Sequence, residues 1–427
     1  MVKITLLVLF YLFFPVAIIW LCKKWTLLQK IGTIGVAYLF GLMVGSTGIL
    51  PEGSPQYKLA LAGRTSMPPA EIATLVDNGK VSTDDEYVNQ IAAVQEMIPS
   101  IAVIIAFPLL LFSLNVSHWI RYARKGFLSI ILGLIAGLVM VVVGFFIWKD
   151  TFPESWKLAG MFEGMYTGGT PNFVAIQVAL KVDPTLFVIA TTYDIVVGAV
   201  LVVFFISIAP RIFRFILPFE AKATSVSPDA DIDKETSDPD DFSGMLEKGK
   251  RLPLLKALGV SVIIVGLSAG IASGLKLIFP ALPFNAVIIL SVTLLGIASS
   301  MIRQINGIHK SFQLGMYLIL VFALTVSSMA NLENMIRIEM VDLILFITWC
   351  YFGSLILHLI LARIFRIDAD NFLITSTALI FSPPFVPLVA KSLRNKDVIV
   401  TGITGGIIGL MLGNLIGIPL AYFLQQF

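Results

Sequence analysis

One aspartate in this sequence lies where a carboxylate is costly, inside the apolar run ATTYDIVVGAV. Holding the charge of Asp194 in the middle of a bilayer costs about 2.5–3.5 kcal/mol, and such carboxylates usually serve ion or proton movement. Thr191 and Thr192 stand shortly before it and offer hydroxyl oxygens for Na⁺. The pattern predicts that Asp194 takes up a cation, Na⁺ or H⁺. The structural alternative is an aspartate that accepts hydrogen bonds from an unwound helix end.

Two breaks rich in glycine, proline and hydroxyl side chains interrupt the apolar segments 157–180 and 371–392. Open backbone at membrane depth is tolerated only where it is buried in protein or lines a polar cavity. We therefore expect both breaks to form a substrate and ion site; simple helix kinks are the alternative. The residues assigned to that site are Thr167, Gly168, Gly169, Thr170, Pro171 and Asn172 in the first break, and Ser376, Thr377, Ser382, Pro383 and Pro384 in the second.

Three other features carry weaker signals. Glu163, at the start of the first break, is a second candidate for the coupling carboxylate, and we expect it near the membrane interface. His358 is more typical of a packed helix histidine than of a proton relay, and no acid near Ser354 would make it a hydrolase nucleophile. Glycines spaced by four in 405–417 and 266–274 predict grooves for close helix packing.

Composition places the chain in a lipid bilayer. Its 427 residues are 57% hydrophobic and 13% charged, with a mean hydropathy of +0.91, whereas soluble proteins carry about 25% charged residues. A net charge of +3 gives no reason to expect nucleic acid. Cys22 and Cys350 lie in apolar segments and no paired metal-ligand motif occurs. We therefore expect no disulfide, no metal centre and no cofactor beyond Na⁺.

Ten apolar stretches are long enough to cross a bilayer, for which about 20 residues are needed. They are 4–22, 31–50, 97–115, 127–149, 185–208, 254–277, 284–302, 311–330, 340–363 and 398–424. Two polar segments interrupt the series. In 51–96 a helix is predicted to begin at Ser82 or Thr83 and to continue into the span at 97. The segment 218–252 reads as a linker rich in Asp, Ser and Pro.

The distribution of lysine and arginine decides between two topologies. If both broken segments cross the bilayer, the basic residues divide 18 to 12 between its sides. If both form hairpins that enter and leave on one side, the division is 21 to 9. Basic residues gather in the cytoplasm, so the hairpin topology is favoured. It gives two inverted repeats of about five helices each, with one re-entrant element per repeat. The first membrane repeat is 1–217, the cytoplasmic linker 218–252 and the second membrane repeat 253–427, with 51–96 and both termini outside.

The run MYTGGTPNFVAIQVAL, with TTYD after it, resembles a YjcL-like family of uncharacterised bacterial integral membrane proteins. The resemblance extends from about residue 97 onward. That family is grouped with cation:proton antiporters, bile-acid:sodium symporters and the sodium:glutamate symporter. The resemblance implies inverted five-helix repeats, crossed broken elements, elevator-type alternating access and often a homodimer. The sequence departs from the pattern in its long segment 51–96 and in a proline-rich second break, FSPPF.

Together these features predict an all-α polytopic membrane protein of the bacterial cytoplasmic membrane. We expect a secondary active transporter of a small solute, most simply an organic anion or an amino acid, coupled to Na⁺ or H⁺. No catalytic residues are assigned, and no phosphate-binding G-x-x-x-x-G-K-[ST] motif is present for an ATP-driven pump. The alternatives are a channel or passive facilitator, and a membrane receptor or sensor whose small ligand enters at 51–96.

Overall fold

Every regular element that the computed structural model describes is helical. The described residues are 2–61, 64–113, 126–218, 241–245, 247–330, 341–381, 385–393, 395 and 398–427, and none of them is in a strand. The helices in chain order are α1 (Val2–Lys24), α2 (Thr26–Ile31), α3 (Thr33–Ser46), α4 (Pro55–Leu61), α5 (Pro69–Asp77), α6 (Thr83–Phe112), α7 (Phe127–Trp148), α8 (Ser155–Gly168), α9 (Thr170–Leu180), α10 (Pro184–Ser207), α11 (Ala209–Ile216), α12 (Lys248–Ile278), α13 (Phe284–Ser300), α14 (Arg303–Asn306), α15 (Ser311–Met329), α16 (Val341–Ile364), α17 (Ala369–Phe381), α18 (Val386–Leu393) and α19 (Val398–Leu424). The all-α prediction is thus confirmed for these residues.

Eight of the described helices are long and apolar enough to cross a membrane: α1, α6, α7, α10, α12, α15, α16 and α19. Each coincides with one of the ten predicted spans. The remaining two spans contain shorter helices than expected, namely α3 with 14 residues and α13 with 17. Two glycines with positive φ, Gly32 at 83° and Gly48 at 70°, flank α3. Since few other residues adopt this conformation, both mark points where a helix ends or begins.

The predicted helix start before the span at 97 is confirmed, because α6 runs without interruption from Thr83 to Phe112. Ser82 caps it: its Oγ accepts a hydrogen bond from the Asp85 N–H at 3.1 Å, and the Asp85 carboxylate accepts one from the Ser82 N–H at 2.9 Å. This reciprocal pair satisfies backbone groups that a helix terminus leaves open. Ser54 adds an N–H and an O–H donor to the same carboxylate, at 2.7 and 2.9 Å.

The chain folds into two compact units. The first unit comprises Met1–Val103, Asp183–Ile189 and Tyr317–Arg337, and the second comprises Ile104–Val182, Ala190–Met316 and Ile338–Phe427. The division into repeats 1–217 and 253–427 concerns internal symmetry and stays a prediction. The linker between them, 218–252, falls for the most part outside the described residues, which omit 219–240 and 246.

Buried polar residues hold the first unit together. The Gln95 amide donates to the hydroxyl oxygens of Tyr11 and Ser328 at 2.9 and 3.0 Å, and those two hydroxyls lie 2.7 Å apart. Asn89 exchanges hydrogen bonds with the Met67 backbone and accepts one from the Tyr57 hydroxyl. Each group therefore has the partner that burial demands.

In the second unit, α8, α9 and α17 are almost wholly buried. The helices α7, α16 and α19 pack around them. Every described residue that the sequence assigned to the site lies in this unit, on α8, α9, α10 or α17 or in the one-residue break at Gly169. A buried helix must be apolar on all sides except where a polar side chain has a function or a partner.

Replacing Asp85 by alanine should loosen the segment 51–96, because the hydroxyls and N–H groups of Ser54 and Ser82 lose their common acceptor. We expect the free energy of unfolding to fall by about 1–3 kcal/mol. Thermal unfolding and limited proteolysis of the detergent-solubilised protein would measure the change. Asp84→Ala is the matched control, since Asp84 is exposed on the same turn. Equal losses in the two variants would contradict the assigned cap.

Candidate functional site

The first broken segment is an antiparallel helical hairpin with Gly169 at its tip. At its open end the Lys157 ammonium group donates to the Lys181 carbonyl oxygen at 3.2 Å, and midway along it the rings of Phe162 and Phe173 lie 5.2 Å apart. The helices α8 and α9, of 14 and 11 residues, are each about 16–21 Å long, less than the roughly 30 Å of a bilayer core. This is the geometry that a re-entrant element requires.

Gly169 makes the turn because its backbone adopts φ 79° and ψ −165°, a region open almost only to glycine. Its N–H bonds to the Met165 carbonyl at 2.8 Å and closes α8. Its carbonyl oxygen accepts hydrogen bonds from the N–H groups of Asn172 and Phe173 in the first turn of α9, and Pro171 supplies the fixed φ of that turn. The break is thus a defined hairpin turn, whose backbone groups are largely satisfied locally.

The hairpin packs against the row of glycines on α19. The four-residue spacing of these glycines predicted close helix packing at this surface. A side chain at Gly409 would overlap the Thr167 carbonyl, and one at Gly413 would overlap the amide of Asn172. The Asn172 amide also donates to the Gly409 carbonyl at 3.2 Å. The other predicted groove, 266–274 on α12, differs: a Cβ added at its glycines meets nothing within 4 Å in the described part of the chain.

Asp194 is buried, and its partner is a tyrosine. The Tyr351 hydroxyl donates to Asp194 Oδ1. Tyr351 lies on a π-helical turn, Trp349–Gly353, within α16. Its ring meets the ring of Tyr166 on α8 edge to face, with centroids 4.6 Å apart. Two tyrosines therefore connect the predicted coupling carboxylate to the first broken segment.

Glu163 is completely buried in α8, whereas the sequence suggested a place near the membrane interface. The difference arises because α8 lies inside a hairpin that other helices cover. The Thr167 hydroxyl donates to the Glu163 carbonyl at 2.6 Å and to its Oε1 at 3.2 Å. Glu163 Oε2 has no hydrogen-bond partner among the described residues. A buried carboxyl oxygen without a partner is costly and is a natural position for a proton or a cation.

Other buried oxygen atoms close to the hairpin are also without a partner in the described part of the chain. They are the hydroxyls of Tyr166 and Ser354 and the amide oxygens of Asn172 and Asn414. The Asn414 amide nitrogen, for comparison, donates to Thr293 at 3.1 Å. Buried polar atoms are nearly always hydrogen-bonded, so a cluster of exceptions indicates a place for water, an ion or a solute.

The second broken segment also folds back on itself. The Arg214 guanidinium donates to Asp370, at the start of α17, at 2.9 Å and to the carbonyl of Leu393, at the end of α18, at 2.7 Å. The Asn395 amide donates to the same Asp370 carboxylate at 2.9 Å. The two ends of the segment are therefore adjacent. The predicted site residues Ser382, Pro383 and Pro384 lie outside the described residues.

His358 is held by hydroxyls on both ring nitrogens. Nδ1 lies 2.9 Å from the Ser376 oxygen and Nε2 lies 3.3 Å from the Ser129 oxygen, which is 2.7 Å from that of Thr375. Both ring nitrogens of His358 thus have hydrogen-bond partners, as in a packed histidine, and the choice between packing and a proton relay stays a prediction. Thr377, by contrast, uses its hydroxyl on the Leu373 carbonyl of its own helix at 2.7 Å.

The structure brings some of the predicted residues together and separates others. Thr167, Gly168, Pro171 and Asn172 are buried at the hairpin tip, and Thr170 is half-buried there. On α10, Thr191 is buried with Asp194, whereas Thr192 is exposed. Sequence reasoning missed Tyr166, Tyr351 and Ser129. Of these only Tyr166 carried a local signal, because it directly precedes the break.

No group of three or more His, Cys, Asp or Glu side chains that could hold a metal ion occurs in the described portion of the chain. The oxygen atoms near Glu163 and Asp194 come instead from hydroxyls, amides and single carboxylates. Such donors suit a proton, a monovalent cation or a hydrogen-bonding solute better than a transition metal.

Comparison with known proteins gives two results. The sequence model of a family described as "Protein of unknown function (DUF819)" matches residues 84–427. The chain is also 23% identical over 349 residues to the "Uncharacterized membrane protein YjcL" of Bacillus subtilis (strain 168), a match that covers 78% of the chain and 84% of that relative.

Gly169→Ala should destabilise the hairpin, because an alanine at φ 79° is strained by about 1–3 kcal/mol. Gly198→Ala is the matched control: Gly198 lies within α10, and an added Cβ would be 3.7 Å from the Phe381 ring, an ordinary contact. The free energy of unfolding of Gly198→Ala should rise by up to about 1 kcal/mol, because alanine has a higher helix propensity than glycine. Thermal unfolding in detergent compares the two. A melting temperature that rises in both variants would exclude the strained tip.

Proposed function

The chain belongs to the DUF819 family, to which the YjcL-like resemblance pointed, and we propose that it is a secondary active transporter of a small solute. The eight helices able to span a bilayer in the described part of the chain make it a polytopic membrane protein. The observation that carries the proposal is the buried pair of Asp194 and Tyr351, joined through Tyr166 to a hairpin whose tip is broken backbone. Intramembrane carboxylates beside broken helices are typical of ion-coupled carriers.

The proposed substrate is an organic anion or an amino acid. The helix α9 begins at the hairpin tip, and the N-terminus of a helix attracts a carboxylate. The Asn172 amide oxygen, which has no partner among the described residues, would accept a hydrogen bond from an ammonium group. The proposed site consists of the hairpin tip, Thr167–Asn172, and of Ser376, Thr377 and Ser382–Pro384 in the second broken segment.

The proposed coupling carboxylate is Asp194, and the coupling cation is Na⁺ or H⁺. Thr191 supports this role, because its hydroxyl is buried on the same helix as Asp194. The family resemblance adds elevator-type alternating access, inverted repeats and a homodimer to the proposal. We assign no catalytic activity. A passive facilitator and a ligand-binding sensor are the other functions that the experiments below distinguish.

The proposed orientation in a bacterial cytoplasmic membrane has the linker 218–252 in the cytoplasm and both 51–96 and the C-terminus outside. Its basis is the 21-to-9 division of lysine and arginine between the two sides. Topology reporters fused after residues 240 and 427 should report opposite sides of the membrane. Reports from the same side would exclude two inverted five-helix repeats.

Asp194→Asn should uncouple transport without unfolding the protein. An asparagine can keep an oxygen acceptor for the Tyr351 hydroxyl, but it neither ionises nor exchanges a proton. We expect uptake into proteoliposomes to stop accumulating solute against its gradient, and the Na⁺ or pH dependence of binding to flatten. Solutes would first be found by screening organic acids and amino acids for a rise in melting temperature, with Na⁺ and K⁺ compared.

Gly198→Ala on the same helix is the control, because it keeps both buried carboxyl groups and its added Cβ makes only an ordinary contact with Phe381. Concentrative uptake by Asp194→Asn with unchanged ion dependence would overturn the assigned role and move it to Glu163. Gradient-independent flux in the wild-type protein would identify a facilitator. Binding without flux would identify a sensor.

A further inference from the structure

A small cavity lies between α7, α8, α16 and α17, beside His358. It measures about 20 Å³, counted as the space open to the centre of a water molecule. Its lining includes the hydroxyl-bearing residues Tyr166, Ser354 and Ser376, together with Gly133 and Gly137. A cavity needs about 10–15 Å³ of such space to hold one water. The cavity is thus of the right size for a single water molecule.

Two of the hydroxyls that line the cavity have no hydrogen-bond partner in the described residues, those of Tyr166 and Ser354. Both residues are more than nine-tenths buried, at 4% and 6% exposure. Each hydroxyl can donate one hydrogen bond and accept others. One water at the centre of the cavity would form a hydrogen bond with each hydroxyl. Neither buried hydroxyl would then remain unsatisfied, which is costly.

The directions of the hydrogen bonds around His358 follow from the fact that each hydroxyl has only one hydrogen to donate. The single hydroxyl hydrogen of Thr375 points to the Asn371 carbonyl at 2.7 Å, so the Ser129 hydroxyl donates to Thr375. Ser129 must then accept from His358 Nε2–H, and in the neutral ring Nδ1 accepts from the Ser376 hydroxyl. The neutral form of His358 thus carries its proton on Nε2 and turns its basic nitrogen toward Ser376.

We infer that the cavity binds one water molecule and that this water, through Ser376, carries protons between the hairpin side of the cavity and His358. A proton that arrives on the water passes to the Ser376 oxygen as the Ser376 hydrogen moves to His358 Nδ1. One O–H bond breaks at each step and one bond to hydrogen forms, and His358 becomes an imidazolium held by Ser129 and Ser376. The inference rests on the proposed function in one respect, since it names the proton as the coupling cation.

The groups that can exchange this proton come from two of the surrounding helices. The helix α8 supplies Tyr166 and, one turn before it, Glu163, whose unpartnered Oε2 would lie 3.9 Å from a Cβ built at Gly137. The helix α16 supplies His358 itself and Tyr351, the partner of Asp194. The helix α7 has no titratable residue, and Asp370 at the start of α17 is bound by Arg214. Glu163 is therefore the acid nearest to the cavity from which the proton can come.

Gly137→Ala tests the water without disturbing the packing. Its Cβ would enter the cavity lining and lie no closer than 3.9 Å to Glu163 Oε2 or to the Tyr166 Cβ. The methyl group takes the space of the water, so the two hydroxyls lose their partner. We expect the melting temperature of Gly137→Ala to fall by roughly 1–3 °C relative to Gly198→Ala. Equal gains in both variants would show a dry cavity and overturn the water site.

A double-mutant cycle of Tyr166→Phe and Ser354→Ala gives an independent measurement. A shared water makes the two changes in melting temperature non-additive, because either single change already removes a hydrogen bond of the water. If each hydroxyl is without a partner, both single variants should be as stable as the wild type or more stable. That outcome too would overturn the water site, and neither stability measurement depends on transport.

The proton path is tested in proteoliposomes that contain the pH indicator pyranine, with a membrane potential set by K⁺ and valinomycin and a mixture of organic acids and amino acids, the proposed solute class, supplied outside. Wild-type protein and Gly198→Ala should acidify the interior faster than protein-free liposomes, and Gly137→Ala and His358→Gln should fall to that background. Acidification by Gly137→Ala at the wild-type rate, or by the wild type at the liposome rate, would overturn the path. A Na⁺-dependent carrier with a hydrated cavity would then remain, so this failure is distinct from failure of the transporter proposal.

Discussion

A carboxylate enclosed by apolar helices must have a partner or a proton, and the second unit is arranged around this requirement. Asp194 accepts the hydroxyl of Tyr351, and Glu163 accepts that of Thr167. The first bond needs a tyrosine on the π-helical turn of α16, and the Tyr351 ring there also packs against Tyr166. The bond between Asp194 and Tyr351 thus links α10 to α16, and the ring contact of Tyr351 with Tyr166 links α16 to α8.

The hairpins meet a second requirement at their open ends, because the C-terminus of each second arm leaves carbonyl groups without partners in its own helix. Each closes on itself, and a basic side chain bonds a carbonyl at the C-terminal end of its second arm: Lys157 to Lys181 in one hairpin, Arg214 to Leu393 in the other. A cation at that end also balances the partial negative charge of the helix dipole. The two broken segments of the sequence therefore share a common construction at their open ends.

The sequence predicted the helices and the first break well, because apolar length and the local chemistry of Gly169 and Pro171 determine both. It did not predict the burial of Glu163, which depends on the covering of the hairpin by α19 and other distant helices. Tyr351 was also missed, since its π-helical turn reads WCYFG, like any apolar stretch. The hydroxyls around His358 come from segments far apart in the chain, and no local pattern reveals such a meeting.

The glycines of α19 have a mechanical consequence. At Gly409 and Gly413 no side chain separates α19 from the hairpin, and the Thr167 carbonyl and the Asn172 amide rest directly on its backbone. Where no side chains intervene, the two backbones pack at close range along their crossing. Separating the hairpin from α19 would therefore break this contact together with the hydrogen bond from Asn172 to Gly409.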